Sequence, residues 1–594
     1  MSHATIAPTA GSEDDNPVAP DCRGLNFYEI DPAFRAMLRD YMRDDNAALH
    51  AHLDPHLSRL GGIAGGRLDE LARLADRHQP QLHFRDPFGR DEDWIEYHPA
   101  YKEMERIAFE DFGLNALSHR GDVLSWPEPM GPLAKYAIQY LFVQAEFGLM
   151  CPISATDTSA FLIQRYGSKE VVERYVPRML ADKREELWTG AQFMTETYGG
   201  SDIGRSEVAA VRDGDAWRIY GDKWFCSHTD GDLIMMLARP EGAPDGSRGL
   251  SLFVVPRHLE DGSRNAYRIV RLKEKMGSRS MASGEVRFEG AVAYLLGEEE
   301  RGLKHMMDQV NLSRLSHGVR ASAMMRRCLN ESLVVARNRE AFGRRLVELP
   351  LLRKQLMKIM LPTEQALSMF LFTAATMEKA NAGDDVAQRT LRILTPILKF
   401  RTCRDNIEVA TGAMEVRGGN GYIEDWVNPR LVRDAMLGVL WEGTSNINAL
   451  DVTTRAIPKE LGHEALGEML GEALDDADGV PGQFRGELAA LVERAVAFAG
   501  EVAGTAEHED LSRQAANALY HGASAVLLAR EGARMAADTG DARRMLLARL
   551  VVDHRMRPRD PLSLGETAFD RRAAELLLDD APASMEEVAA ALAL

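Results

Sequence analysis

The stretch Leu440-Trp441-Glu442-Gly443-Thr444-Ser445-Asn446-Ile447 sets one carboxylate between an aromatic residue and a glycine, just before an apolar helical run from Ile447 to Arg455. Gly443 frees the backbone beside the acid, and Thr444 or Ser445 can cap the following helix. A carboxylate held against apolar walls tends to a raised pKa, which suits a general base acting on a weak carbon acid. Read alone, the pattern also fits an ordinary acidic residue at a solvated helix start, the commoner meaning of so short a motif.

Four other segments carry residue types that can hold a ligand. Phe193-Met-Thr-Glu-Thr-Tyr-Gly-Gly-Ser-Asp202 supplies Gly199 and Gly200 for close backbone approach, with Thr195 and Ser201 as hydroxyl donors suited to a flavin edge or a phosphate. A plain helix-to-strand turn accounts for it equally well. Lys223-Trp-Phe-Cys-Ser227 offers Phe225 and Ser227 to a planar ring, although aromatic residues in strands are more often core. Arg339-Glu-Ala-Phe342-Gly343 ends a helical run with a guanidinium that suits pyrophosphate, or lies at the surface. Gly418-Gly419-Asn-Gly-Tyr422 reads by itself as a helix C-cap and turn.

The elements that must position these residues follow from hydrophobic period. Ala33–Met42, Leu68–Leu74, Leu133–Leu149 and Ala160–Arg165 have helical spacing, with a break expected at Cys151-Pro152. From Leu187 the pattern shortens to strands at Trp217–Ser227, Leu233–Ala238, Leu250–Val255, Glu285–Glu289 and Val292–Leu296. Helical spacing returns at Leu303 and includes Met324–Ala341 and Leu351–Ala380. The segment from Gly462 to Leu594 is again helical and Ala-rich. These readings give an α+β, mostly α chain in five parts. They are a flexible tail at 1–25, an N-terminal α-helical domain at 26–190, a central antiparallel β domain at 191–298, a C-terminal helical bundle at 299–458 and an α-helical extension at 459–594.

Composition narrows the function classes. The 594 residues, 45% apolar and 27% charged, are ordinary for a globular enzyme of several domains. A net charge of −19 argues against a general polyanion binder. Five scattered cysteines include no Cys-x-x-Cys pair, so neither a disulfide framework nor a zinc site is expected. His50, His52 and His56 are not expected to bind metal, because Pro55 should interrupt their helix. With no apolar run of about 18 residues and no basic, apolar leader, the expected location is cytoplasmic.

Taken together and in order, these motifs resemble the acyl-CoA dehydrogenase family of flavoenzymes over about Asn26 to Pro458. Within it the chain is most similar to the AidB-like, alkylation-response branch, through Gly199–Asp202, Lys223-Trp-Phe, Val255-Pro-Arg, Asp261–Ala266, Leu272–Arg279, Ala323–Arg327 and Trp441-Glu-Gly. The resemblance implies FAD in a cleft between the β domain and the C-terminal helices. Met194, Thr195, Gly200, Ser201, Phe225 and Ser227 would bind it, together with Thr444 and Asn446. Arg339, Phe342, Gly418 and Gly419 would reach the cofactor of a neighbouring subunit, so a homo-oligomer, a tetramer, is expected. Ser201, Arg314 and Gly443 would contact the acyl-CoA.

By the same resemblance Glu442 would remove the α proton of the thioester while a hydride passes from Cβ to flavin N5. The family's second location for the base, before an arginine, is occupied here by Ser313, ahead of Arg314. Pro350 and Glu415 depart from the glutamines common in the family.

Three readings follow. They are a dehydrogenase passing electrons to an electron-transfer flavoprotein, an AidB-like DNA binder with little dehydrogenase activity, and an acyl-CoA oxidase using O2. Between Leu461 and Leu594 stand 13 arginines, no lysine and 24 acidic residues, a balance of −11 that disfavours nucleic acid. Any basic patch at Arg543-Arg544 through Arg559 is read as a solvated helix face. The extension is expected to pack subunits together or to roof the substrate channel.

Overall fold

The computed structural model describes residues 18–560, 562–563 and 567–594. They form two compact units, one from Arg67–Gly131 and Ala145–Ser316, the other from 18–66, Pro132–Gln144 and the described residues of 317–594.

In chain order the elements are α1 (Pro32–Tyr41), α2 (Ala47–Ile63), α3 (Asp69–Arg77), β1 (Gln81–His83), β2 (Trp94–Glu96), α4 (Pro99–Arg106), α5 (Pro132–Val143), α6 (Met150–Tyr166) and α7 (Lys169–Met179). Next come β3 (Gly190–Phe193), β4 (Ala209–Asp213), β5 (Ala216–Ser227), β6 (Leu233–Pro240), β7 (Ser251–Pro256), β8 (Tyr267–Leu272) and β9 (Ser283–Leu296). The helices α8 (Gly302–Asn338), α9 (Pro350–Asn381), α10 (Asp385–Arg417), α11 (Asn428–Gly438), α12 (Ser445–Asp451) and α13 (Ile457–Glu460) follow, with a short hairpin β10–β11 (Glu340–Ala341, Arg344–Arg345) between α8 and α9. Last are α14 (Gly462–Asp475), α15 (Gly482–Ala503), α16 (Ser512–Thr539), α17 (Arg544–Val551), α18 (Thr567–Leu578) and α19 (Met585–Leu592).

The sheet of the first unit closes on itself. β6 pairs β4, β4 pairs β5, β5 pairs β9, β9 pairs β7, and β7 returns to β6. β3 and β4 share one edge of β6 end to end, and both lie parallel to it, whereas the other ladders of this sheet are antiparallel. The expected antiparallel domain is antiparallel in most of its ladders, with β3 and β4 the two parallel additions. Alternation along β6 explains its unbroken apolar sequence. Ile234, Met236 and Ala238 fill the interior of the sheet with Phe253, Val255 and Trp217. Leu233, Met235 and Leu237 face the opposite way, onto Ala160, Leu162 and Ile163 of α6 and Met306 and Val310 of α8. A strand buried on both faces needs no polar residues to mark an outside.

Several sequence expectations change in detail. Pro55 lies inside α2, which continues through it. The lost hydrogen bond is offset by an apolar face of Leu49, Leu53, Leu57 and Leu60. His52 and His56 stand 5.2 Å apart, ring to ring. No group of three or more potential metal-binding side chains occurs among the described residues. The helical break falls between Val143 and Met150, and Cys151-Pro152 sit in the first turn of α6, where proline is tolerated. Glu285–Glu289 and Val292–Leu296 are one strand, β9, while β3, β4, β8 and the β1–β2 hairpin carried too little alternation to be read.

Of the proposed tail at 1–25, residues 1–17 lie outside the described residues. Residues 18–25 are held: Cys22 is buried, its N–H donates to Glu331 Oε1 at 3.3 Å, and Arg417 reaches the Pro20 carbonyl. Those partners lie hundreds of residues away, so local composition gave no sign of them. No helix among the described residues is long and apolar enough to cross a membrane.

In the second unit, α14–α19 are packed into the bundle rather than appended to it. Arg544 of α17 is 4% exposed and bonds Glu364 of α9 and Glu531 of α16, at 2.6 and 2.7 Å. Glu364 also binds Arg326 of α8 at 2.6 Å, which in turn pairs with Asp31 at the start of α1, 3.1 Å away. Tyr41 donates to Glu531, and Ser368 donates to the same carboxylate. Arg543 is buried against Asp541. Arg543 and Arg544, read as members of a solvated face, are thus interior ion-pair partners. Sequence reading missed this because the acids of Arg544 lie on other helices and nothing local marks the Arg543–Asp541 pair as buried.

Candidate functional site

The first unit carries the loop from Met194 to Ser201. β3 ends at Phe193, and the chain turns tightly, Glu196 N–H to the Gly199 carbonyl at 3.1 Å and Gly199 N–H back to the Glu196 carbonyl at 3.2 Å. The Glu196 side chain anchors the turn. Its carboxylate accepts from the Glu207 and Val208 amides and from Lys223 Nζ at 2.6 Å, and Lys223 also donates to the Met194 carbonyl at 3.1 Å. Lys223 is fully buried; burial lowers its pKa while Glu196 opposes the change. A buried charge pair satisfied on both sides fixes geometry more than it adds stability. The Thr195 carbonyl accepts from Trp224 N–H at 2.9 Å, which ties the loop to β5.

That scaffold leaves the expected ligand groups outside. Thr195 and Met194 are half-buried, Gly200 and Ser201 are exposed, and a Cβ added at Gly200 would meet nothing closer than Thr195 Cγ2 at 3.9 Å. On β5, Lys223 and Cys226 point inward, whereas Phe225 is 55% exposed and Ser227 half-buried, its hydroxyl 3.5 Å from that of Ser283. Lys273 lies over the Trp224 and Phe225 rings at 3.7 and 4.8 Å and pairs with Glu285 at 2.7 Å. An aromatic residue more than half exposed, hydroxyls that are exposed or half-buried, and bare backbone are groups that a planar ring and a phosphate could use. Arg314, on α8, is buried and donates to Asn311 at 3.3 Å.

The second unit carries the remaining groups. Glu442 and Gly443 occupy the turn between α11 and α12, both left-handed, at φ 52° and 87°. For glutamate that conformation costs about 1–3 kcal/mol and persists only where the surroundings impose it. Asn448 imposes much of it. Its Nδ2 donates to the Gly443 and Thr444 carbonyls at 2.8 and 3.0 Å and reaches that of Glu442 at 3.4 Å. Lys399 of α10 donates to the Gly443 carbonyl from the other side. Thr444 occupies the N-cap position of α12, but its side chain makes no capping bond; Ser445 instead accepts from Arg404 at 3.4 Å. Trp441 meets His317 edge to face at 5.5 Å. Glu442, Gly443 and Thr444 are half-buried and Asn446 is exposed.

Arg339 and Gly418, 79 positions apart, come together: Arg339 donates to the Arg417 carbonyl at 3.5 Å and lies 3.4 Å from a Cβ built on Gly418. Arg417 is locked by Glu331 at 2.6 Å and Asn428 at 3.0 Å, which sets the start of the glycine loop. Phe342 tips the β10–β11 hairpin and is 94% exposed, and Gly419 has open space where a Cβ would stand. Sequence reading named the candidate ligand groups but not the interior side chains that brace the segments carrying them, namely Glu196, Glu331, Lys399 and Asn448. A lysine inside the apolar run Ile397–Phe400 is the one sequence trace of that inner layer.

Comparison with known proteins bears on the family and the fold. Residues 18–186 match the adaptive response protein AidB N-terminal domain, 191–291 the acyl-CoA dehydrogenase middle domain, and 300–457 the acyl-CoA dehydrogenase C-terminal domain. The AidB protein of Escherichia coli K12 is 34% identical over 425 residues, covering 69% of this chain and 74% of its own. Acyl-CoA dehydrogenase family member 11 of Caenorhabditis elegans is 30% identical over 439 residues, covering 72% and 70%.

Among solved structures, Caenorhabditis elegans ACDH-11 in complex with C11-CoA shares the fold at TM-score 0.84 and 24% identity, over 93% of this chain and 95% of that one. Bd2924 in its apo form is 27% identical at TM-score 0.76, over 86% and 99%. An acyl-CoA dehydrogenase from Bacillus anthracis complexed with FAD shares the fold at 0.62 and 16% identity, over 87% and 84%. The chain belongs to the acyl-CoA dehydrogenase family of flavoprotein oxidoreductases, in its AidB-like branch.

Proposed function

We propose that the protein is an FAD-dependent acyl-CoA dehydrogenase in which Glu442 is the catalytic base for α,β-dehydrogenation of an acyl-CoA thioester. The observation that carries this reading is the Glu442 turn. A half-buried carboxylate sits on a strained, left-handed backbone whose carbonyls are tied back by Asn448 and Lys399. Strain so fully braced is characteristic of reacting side chains.

Met194, Thr195, Gly200 and Ser201 hold the FAD by its edge and phosphates, Phe225 and Ser227 flank its ring, and Thr444 and Asn446 complete its binding. Bound flavin supplies a hydride acceptor. Glu442 removes the α proton, and its backbone N–H polarises the thioester carbonyl, a contribution of about 3 kcal/mol per such donor. Placement of the base adds about 10²–10⁴ in rate. Arg314, Ser201 and Gly443 contact the thioester. Arg339, Phe342, Gly418 and Gly419 serve the cofactor of a neighbouring subunit in a homotetramer. The exposed Phe342, Tyr422 and Leu351 are apolar groups that such an assembly would cover.

An electron-transfer flavoprotein is the proposed acceptor, and the cytoplasm the proposed location. The DNA-binding alternative loses support, because Arg543 and Arg544 are interior ion-pair partners and the extension carries −11.

The Glu442→Gln variant is expected to purify yellow, with FAD at parental content, and to fail to bleach anaerobically with any member of an acyl-CoA panel. Flavin reduction at the parental rate would end the assignment.

A further inference from the structure

Lys399 belongs to none of the motifs that mark the family resemblance, yet it is 1% exposed and aimed at the turn carrying Glu442. Its ammonium donates to the Gly443 carbonyl, the peptide next to the proposed base. Across two covalent spans and one hydrogen bond, Nζ lies at most about 9 Å from the Glu442 Cα. Asn448 grips the same carbonyl at 2.8 Å from α12. One peptide oxygen is thus held from both sides, by a helix that precedes the turn and by the helix that follows it.

Three observations give this contact a purpose beyond packing. The residues it braces, Glu442 and Gly443, are consecutive left-handed positions, which the turn would otherwise relax. Lys399 occupies the interior of α10 between Leu398, fully buried, and Phe400, 1% exposed, a position where an apolar residue would pack without any desolvation cost. The floor beneath the turn is close-packed: Gly438, at the end of α11, comes so near α10 that a Cβ would lie 3.1 Å from Cys403 Sγ. A charged group retained in such a floor, with its ammonium on the Gly443 carbonyl, sets the position of that carbonyl.

We propose that Lys399 is a positioning residue for the reaction: its buried ammonium, working with Asn448, locks the Gly443 peptide and thereby holds Glu442 where it can take the α proton. The inference rests on the reading of Glu442 as base. It predicts an effect on proton abstraction without an equal effect on cofactor or thioester binding, since neither Lys399 nor Asn448 is among the proposed ligand contacts.

The test uses the FAD-loaded full chain. Two readouts are compared: the anaerobic rate of flavin bleaching by the saturated acyl-CoA that bleaches the parent fastest, and the long-wavelength band formed with a 3-thiaacyl-CoA, which can lose an α proton but has no β hydride to give. Lys399→Met is expected to keep its FAD and to bind the thia analogue within about 3-fold of the parent. Bleaching should slow by about 10- to 100-fold, and the band should weaken in step. Lys399→Arg, which keeps the charge and the donor, should recover part of both, and Cys403→Ala, which trims the same floor, should match the parent.

Parental bleaching and a parental band in Lys399→Met overturn the proposal, as does an equal loss in Cys403→Ala. If Lys399→Met does not fold, Asn448→Ala carries the same expectation and the same refutation. Glu442→Gln run alongside separates the two layers. A band retained there removes the base assignment itself, whereas a band lost there and intact in Lys399→Met removes only the role of Lys399.

Discussion

At the scale of single residues, the site depends on two backbone positions that ordinary side chains avoid. Gly443, at φ 87°, has no room for a Cβ, which would lie 2.9 Å from Ile447 Cγ2 and 3.3 Å from Asn448 Nδ2. Gly443→Ala therefore adds left-handed strain of about 1–3 kcal/mol and pushes on the amide that holds the turn. It is expected to keep the flavin spectrum while lowering the flavin reduction rate by up to about 10²-fold, read by anaerobic stopped-flow. Glu442 itself was legible, since an acid followed by glycine and a capping pair is a local pattern. Its left-handed φ was not, because that conformation is imposed by Asn448 and Lys399 rather than chosen by glutamate.

At the scale of elements, helices α1, α8, α9, α16 and α17 meet through a buried chain of charges, Asp31–Arg326–Glu364–Arg544–Glu531. Burial alone would raise the pKa of Glu364, but the Arg326 and Arg544 guanidinia outweigh it and hold the carboxyl below its ordinary 4.5. A carboxyl whose folded pKa lies below its unfolded one stabilises fully above the unfolded value. That stabilisation drains as pH falls through the folded value.

Urea midpoints of the parent are therefore expected to hold above pH 4.5 and to fall below it. Arg544→Met removes one of the two cations and leaves Glu531 and Glu364 short of a partner. It should cost about 3–5 kcal/mol at neutral pH, with a shallower acid fall than in the parent, because the pKa of the Glu364 carboxyl rises toward its unfolded value. A variant midpoint equal to the parent's at pH 7 would mean that Arg544 holds nothing. The helices themselves were readable from their period, and so was β6 as an apolar run. The closure of the sheet and the parallel placing of β3 and β4 were not, because hydrophobic alternation marks the faces of a strand and leaves its neighbours undetermined.

At the scale of the whole molecule, the C-terminal helices are part of one core. α16 contributes Glu531 to the charge chain, and Ser524 and His521 accept from Gln365 of α9 at 2.7 and 3.1 Å. Removing Leu461–Leu594 would uncover the apolar faces of α9 and α10 and leave Glu364 with Arg326 alone. Such a truncation is expected to lose cooperative unfolding and to aggregate, as followed by circular dichroism and light scattering. A soluble, yellow, active remainder would show that the extension folds apart from the bundle.

What the sequence by itself determined is motif and period: the ordered motifs, that around Glu442 among them, the succession of helices, sheet and helices, and an acid-rich C-terminal segment. Those properties are local, each written in fewer than about twenty neighbouring residues. Only the tertiary structure decided which arginines are surface and which are core, which lysine bonds the Glu442–Gly443 turn, and where residues 18–25 attach. Most of these are contacts between residues far apart in the chain, made by charged side chains of common type with charged or backbone partners. A buried ion pair leaves no mark on either partner's own neighbourhood.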